Sequence, residues 1–138
     1  MQSILVADGL SKKFDALLAA DDVRFEILEG EIFSLLGPNG AGKTTTISML
    51  STLLRPSSGT ASINGFDIVK SPLEARRFIG VVPQDLALYM DLTGRENLHF
   101  WGSMYDLKGK ELKQRSVEIL ERIGLTEKAD IKVKTYSG

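Results

Sequence analysis

The alternation of apolar and polar residues predicts β-structure in the first third of the chain. β-Prone runs stand at 4–7, 23–28 and 32–36, and the steps Asp21-Asp22 and Glu29-Gly30-Glu31 between them predict turns. Residues 32–36 are almost continuously apolar, which is typical of a strand buried on both faces. We therefore expect a central strand that leads directly into the glycine-rich stretch after it.

Beyond that stretch the apolar residues recur at helical spacing. The pattern predicts helices over 44–54, 72–78 and 110–123, with a strand-and-turn unit at 60–65 and a short strand at 79–82. Thr93 and Glu96 have the spacing of a capping box, so a further helix is expected to begin at Thr93. On the last helix we expect two i,i+4 ion pairs, Glu111/Arg115 and Glu118/Arg122.

Composition limits the classes of function. The 138 residues, 43% apolar and 25% charged, suit one soluble globular domain with a hydrophobic core. The net charge of −1 gives no general attraction to nucleic acid or anionic lipid, so any phosphate recognition must be local. The absence of cysteine excludes disulfides and thiolate chemistry. We expect neither a signal peptide nor a membrane span, so membrane association would require a partner.

The stretch GPNGAGKT, residues 37–44, carries the strongest chemical signal. It matches the pattern G-x-x-x-x-G-K-S/T between a predicted strand and a predicted helix. Glycines let backbone N–H groups converge on a phosphate chain, and the following helix directs its positive end to the same place. Lys43 would reach the β- and γ-phosphates, and the Thr44 hydroxyl would bind magnesium. The alternative is a helix-capping turn with a surface lysine. The expected nucleotide-binding residues are Gly37, Pro38, Asn39, Gly40, Ala41, Gly42, Lys43, Thr44 and Thr45.

This string, together with Gln84 in VVPQDLALYMDLTGRENL and the final TYSG, resembles the nucleotide-binding subunit of an ATP-binding cassette (ABC) transporter. The similarity covers essentially the whole chain, and the general character of the sequence most resembles that of exporter ATPases. It implies an α/β P-loop NTPase core with an N-terminal antiparallel β portion and a helical subdomain. The P-loop core and β portion would occupy about 1–84, and the helical subdomain about 85–138, up to the start of the family's signature.

The resemblance also implies roles for residues outside the loop. Phe14 corresponds to the aromatic residue that stacks on adenine, although it could instead be a core phenylalanine at a strand end. Gln84 corresponds to a catalytic-site glutamine that contacts Mg²⁺ and senses the membrane partner. Ser137 and Gly138 would begin the signature that closes over the γ-phosphate held by a second nucleotide-binding subunit.

Some elements of the family pattern have no counterpart in these residues. The strand that ends in an aspartate and a water-activating glutamate, and the switch histidine, are not found. The run 87–91 imitates an apolar strand ending in Asp91, but Leu92 replaces the glutamate, so a magnesium site is not expected there. His99 is expected to be an ordinary helix residue.

Two further groups of side chains need an interpretation, which is either structural or functional. Phe100, Trp101 and Tyr105 could pack inside the helical subdomain, or could help to form the groove that receives a helix of the membrane subunit. The basic residues Lys12, Lys13, Arg76 and Arg77 are expected to be solvated charges.

The resulting prediction is an ATPase, with ATP and Mg²⁺ as ligands, that couples hydrolysis to transport, and the expected direction of transport is export. It would lie in the cytoplasm against the inner side of the membrane, bound to a permease subunit and paired with a second nucleotide-binding subunit. The alternatives are an ABC ATPase of DNA repair or translation and a non-catalytic nucleotide-binding module.

A chain of this extent also carries expectations of its own. We expect weak Mg·ATP binding and very little hydrolysis, because the water-activating carboxylate is not among these residues. The strand entering the loop would lack a neighbour, so a strand-exchanged dimer or aggregation is expected.

Overall fold

A computed structural model describes residues 2–83 and 87–136, and the chain divides into two compact units, Met1–Val81 and Val82–Gly138. The first unit contains strands β1 (Ser3–Phe14), β2 (Leu17–Leu28), β3 (Ser58–Ile63) and β4 (Phe66–Asp67) and helices α1 (Lys43–Leu50) and α2 (Pro72–Arg76). The second contains α3 (Gly94–Met104) and α4 (Gly109–Arg122), then short 3-10 turns at Thr126–Lys128 and Val133–Thr135.

The strands of the first unit form an antiparallel sheet in the order β2-β1-β3-β4. A tight turn joins β1 to β2, and Asp15 adopts a left-handed φ of 47° in it. The predicted turn at Glu29-Gly30-Glu31 is confirmed at its first two residues, which follow β2 directly. The strand-and-turn unit predicted at 60–65 is also present, as β3 and its turn into β4.

The predicted turn at Asp21-Asp22 is wrong, because both residues lie inside β2. The register of the β1–β2 pair shifts at this point, which places the two aspartates opposite the single residue Ser11. The N–H of Asp22 donates to Ser11 Oγ at 2.9 Å. Two residues opposite one form a β-bulge, which absorbs the local polar pair without ending the strand.

The core of the first unit lies where α1 and α2 pack on the sheet. Leu10 of β1 and Met49 of α1 are completely buried at its centre. The other buried apolar residues are small or β-branched, so the helices approach the sheet closely. They are Ala7, Ala20, Ala61, Ile63, Ile68 and Ala75.

The predicted strands at 32–36 and 79–82 are not formed. Ile32 and Leu36 are 96% and 91% exposed, and Val82 is 91% exposed. In the part of the chain that the structure describes, no strand is hydrogen-bonded to either segment. A strand is defined by pairing with a neighbour, so an apolar run without one stays extended but irregular.

The predicted helices are confirmed, with changes at their ends. Helix α1 ends at Leu50 rather than at residue 54, because Thr52 adopts a left-handed φ of 60° that a helix does not tolerate. The capping box at the start of α3 is present in full. On α4 the pairing differs from the prediction, because Arg115 bonds Glu118 at 3.0 Å, three residues away.

Within the second unit, the segment before α3 is tied to the segment after α4. Val133 N–H donates to Leu92 O at 2.9 Å, and Lys134 N–H donates to Met90 O at 3.0 Å. The buried Asn97 accepts the N–H of Tyr89 at 2.8 Å and donates to Tyr89 O at 3.0 Å. These bonds fix the chain on both sides of α3.

Among the residues that the structure describes, no helix combines the length and the apolar character that crossing a membrane requires.

Candidate functional site

The glycine-rich loop ends at Gly42, which is the N-cap residue of α1. Gly42 has φ 79° and ψ 6° and carries no side chain that could cap the helix. The first N–H groups of an α-helix have no acceptor within the helix, and in the described part of the chain the N-cap position supplies no side-chain acceptor for those of α1. An anion held by these N–H groups at the positive end of the helix would complete the N-terminus of α1.

Gly42 also fixes the loop on the sheet. Its Cα faces the carbonyl oxygen of Ala19 in β2. A Cβ built on residue 42 would lie less than 3.0 Å from that oxygen, which is so close that the backbone would have to move. Only glycine therefore permits both the left-handed conformation and the close approach to β2. The start of α1 is held directly against a core strand.

The Lys43 side chain folds back across the loop. Its Nζ donates to the carbonyl oxygens of Gly37 and Pro38 at 2.6 and 2.7 Å. The N–H of Ala41 donates to the same Pro38 oxygen at 3.2 Å, which closes the turn inside the loop. A lysine ammonium has three N–H donors, so one remains for an anion at the helix N-terminus.

Thr44 and Thr45 follow in the first turn of α1, and Thr44 is exposed. Among the hydrogen bonds of the described residues, none engages the Thr44 hydroxyl. Mg²⁺ prefers oxygen ligands and retains several waters, so one hydroxyl beside a phosphate chain fits its requirements. Within residues 2–83 and 87–136 no cluster of three His, Cys, Asp or Glu side chains is placed to hold a metal ion.

Phe14 is the last residue of β1, and 44% of it is exposed. It lies outside the buried core of the first unit. The Nζ of Lys12 lies 5.2 Å from the centroid of its ring. An exposed ring at a strand end can offer a face to a planar base.

Two of the basic residues expected to be solvated charges also form hydrogen bonds to backbone carbonyl groups. The Lys12 ammonium donates to Arg55 O at 2.8 Å, and the Arg76 guanidinium donates to Thr52 O at 2.9 Å. Sequence reasoning missed Lys12 because its acceptor lies 43 residues away in the chain. The only local signal was its position two residues before Phe14 on the same strand, which places both side chains on one face.

Gln84, Ser137 and Gly138 lie outside the described residues. The adjoining Tyr136 is described, and its hydroxyl donates to Lys128 O at 2.6 Å. Tyr136 is thereby attached to the 3-10 turn after α4.

Asp91 and His99 take structural positions. Asp91 pairs with Lys134 at 2.6 Å, and this hydrogen-bonded ammonium holds the pKa of the carboxyl below its ordinary value. Asp91 does not end a strand. His99 lies within α3 and is half-buried, as expected for an ordinary helix residue.

The aromatic side chains of α3 pack with a partner that the sequence did not indicate. The Tyr89 ring lies 4.7 Å from that of Phe100 and 6.3 Å from that of Trp101. Tyr105 is 80% exposed and takes no part in this cluster. A groove of about 230 Å³ lies between α3 and α4, lined chiefly by Leu98, Trp101, Tyr105, Leu107, Leu112 and Ile119.

Comparison with known proteins agrees with this geometry. The family described as "ABC transporter" matches residues 20–138. The chain is 47% identical over 135 residues to the Linearmycin resistance ATP-binding protein LnrL of Bacillus subtilis, which covers 98% of this chain and 43% of that protein. It is 41% identical over 136 residues to the Doxorubicin resistance ATP-binding protein DrrA of Mycobacterium tuberculosis, which covers 97% and 41%. The chain thus spans about two fifths of the length of these relatives.

Solved structures are similar over the same extent. A nucleotide-free ATP-binding cassette from an ABC transporter matches with a TM-score of 0.84 at 26% identity, covering 99% of this chain and 60% of that one. The ADP conformation of MJ1267, an ATP-binding cassette of an ABC transporter, matches with a TM-score of 0.83 at 27% identity, covering 100% and 60%. The expected fold class, a P-loop NTPase fold with an antiparallel β portion and helices, is confirmed.

Proposed function

Because this chain belongs to the ABC transporter family, we propose that residues 37–45 bind the triphosphate of ATP and that the whole protein couples ATP hydrolysis to transport. The position of Lys43 carries the proposal. Its ammonium is held on the loop by the carbonyl oxygens of Gly37 and Pro38, and the loop leads into an α1 N-terminus without a side-chain cap, so one short segment supplies both a positive charge and helix N–H donors.

Each residue of the loop has a distinct task in this proposal. Lys43 binds the β- and γ-phosphate oxygens through its remaining N–H while two carbonyl oxygens of the loop hold it in position. The N–H groups of the first turn of α1 bind the phosphate chain. Thr44 would hold the magnesium ion, which would supply charge neutralisation for the phosphate chain. The face of Phe14 that remains open binds the adenine ring.

Three residues outside the described part of the chain complete the assignment. We assign Gln84 as the second magnesium contact and as the sensor of the membrane partner. Ser137 and Gly138 are assigned to the γ-phosphate held by a second copy of the subunit. Both assignments extend the motif positions of the ABC family to this chain.

The transport step is proposed to be export. LnrL and DrrA are named as drug-resistance ATP-binding proteins, and the Probable multidrug ABC transporter ATP-binding protein YbhF of Escherichia coli is 41% identical over 124 residues. We place the protein in the cytoplasm, bound to a permease subunit at the inner side of the membrane. Its transported molecule would then be a drug, as the names of these relatives indicate for those proteins.

Nucleotide binding is tested with Lys43→Ala and with Lys70→Ala as a matched control, since Lys70 is an exposed lysine of the same unit outside the loop. Binding of a fluorescent ATP analogue with Mg²⁺ is measured by titration. Loss of a charged hydrogen bond should weaken binding at least about tenfold in Lys43→Ala, and Lys70→Ala should bind as the wild type does. Equal affinity of both variants would remove the basis of the proposal.

The transport step needs a separate measurement. Cells that express the protein with its permease should extrude a fluorescent amphipathic drug in an energy-dependent manner, and cells with Lys43→Ala should retain it. Extrusion that is unaffected by Lys43→Ala would exclude a coupling role even if ATP binds.

A further inference from the structure

Lys12 connects two parts of the first unit that are distant in sequence. Its Nζ donates to the carbonyl oxygen of Arg55 at 2.8 Å and lies 5.2 Å from the centroid of the Phe14 ring. Lys12 and Phe14 are two residues apart on β1, so both side chains lie on one face of the strand. The Lys12 ammonium is therefore held by the carbonyl oxygen of Arg55 and lies close to the ring of Phe14.

The acceptor itself is held in place. Residues 55–57 follow α1 and are bonded to the end of β1, because Ser57 N–H donates to Ser11 O at 2.9 Å and Lys13 N–H donates to Ser57 Oγ at 3.1 Å. These bonds attach Ser57, two residues after Arg55, to the end of β1. The segment that follows α1 is thus hydrogen-bonded to the end of β1, where Phe14 lies.

We propose that Lys12 is a positioning residue for the nucleobase. The ammonium occupies one face of the Phe14 ring, holds the ring in a single orientation and leaves the opposite face for an aromatic base. A cation within about 6 Å of a ring centroid attracts the ring, and a ring fixed before binding loses less conformational freedom when a base stacks on it. This inference rests on the proposed function, specifically on ATP at the loop with its base on Phe14.

The inference distinguishes ligands that have a base from ligands that do not. Lys12 should contribute to the binding of ATP and not to the binding of tripolyphosphate, which has the same anionic chain without a base. Removing the cation while keeping the length of the side chain should weaken ATP binding by up to about two- to fivefold, because the energy of an exposed cation–π contact sets the upper limit on how strongly the ring is held before binding.

The test measures the affinities of Mg·ATP and Mg·tripolyphosphate for the wild type, Lys12→Met, Lys12→Arg, Phe14→Ala and the double variant. Lys13→Met is the matched control, since Lys13 is an exposed neighbour whose backbone alone makes the contacts above. We expect Lys12→Met to weaken ATP binding and leave tripolyphosphate binding unchanged. Lys12→Arg should restore ATP binding, because arginine keeps the cation. In the Phe14→Ala background, Lys12→Met should have no further effect.

Three results would overturn the inference while the proposed function stands: unchanged ATP affinity in Lys12→Met, equal losses for ATP and tripolyphosphate, or a loss that persists without Phe14. The last two would make Lys12 a structural residue that acts through Arg55. Failure of the wild type to bind either ligand would instead refute the proposed function, and the inference with it. Thermal unfolding of each variant, followed by circular dichroism, shows that the compared proteins are folded.

Discussion

Replacing Gly42 with alanine should destabilise the first unit for two reasons, and comparison with Gly30→Ala separates their contributions to the free energy of unfolding. One is the backbone conformation, since Gly42 has a φ of 79° in the left-handed region. The other is contact, since a Cβ at Gly42 would come closer than 3.0 Å to the carbonyl oxygen of Ala19. Gly30 isolates the first cost, because its φ is also 79° and no atom lies within 4 Å of a Cβ built there.

The magnitudes follow from these two terms. The left-handed conformation costs an alanine about 1–2 kcal/mol relative to glycine, and this is the whole effect expected for Gly30→Ala. In Gly42→Ala, either the backbone of β2 or the start of α1 must also move, which adds about 1–2 kcal/mol of strain. The free energy of unfolding should therefore fall by about 2–4 kcal/mol in Gly42→Ala.

Urea unfolding followed by circular dichroism measures both variants against the wild type. Equal losses in Gly42→Ala and Gly30→Ala would refute the reasoning, because the contact with Ala19 would then have no energetic effect. A larger loss in Gly42→Ala, together with weaker ATP binding, would show that the loop depends on its contact with β2.

Other predictions concern the start of α3. Asn97→Ala should destabilise the second unit by about 2–3 kcal/mol in urea unfolding, because the buried amide exchanges two hydrogen bonds with Tyr89; an effect below about 0.5 kcal/mol would contradict this. Thr93→Ala should cost about 1 kcal/mol, because it removes the side-chain half of the capping box, and helix content measured by circular dichroism should fall with it. The backbone N–H of Thr93, bonded to Glu96, lowers the pKa of that carboxyl from its ordinary 4.5. A lowered folded-state pKa gives stability that is present above pH 4.5 and lost as the pH falls through the folded value, so the difference in stability between the wild type and Glu96→Gln should shrink in acid. A constant difference from neutral to acid pH would show that the bond does not act through the charge.

The features that the sequence predicted correctly are those in which the interacting residues are close together in the chain. Thr93 and Glu96 are three residues apart, and their capping box is formed as expected. The glycine-rich loop is equally local, since Lys43 bonds the carbonyls of Gly37 and Pro38 within the same motif, while its binding of a phosphate chain stays a prediction. Motifs of this kind can be recognised in a sequence because the residues that form them are close together in the chain.

The features that failed depend on partners far away in the chain. Residues 32–36 have the composition of a buried strand, but composition cannot supply the neighbouring strand that would pair with them. The sequence around Lys12 suggests only an exposed charge, and the fold brings the carbonyl of Arg55, 43 residues away, within hydrogen-bonding distance of it. Asp22 does adopt a left-handed φ, which is typical of turn residues. It does so within the β-bulge of β2 and not in a turn between strands.

The backbone between Gly37 and Thr45 is proposed to wrap a triphosphate. The most direct measurement is the change in backbone amide NMR shifts of the protein when Mg·ATP is added, with Lys43→Ala as the comparison. We predict large changes at Gly40, Gly42, Thr44 and Thr45 in the wild type and their loss in the variant. Changes confined to other segments, or identical changes in Lys43→Ala, would contradict the claim.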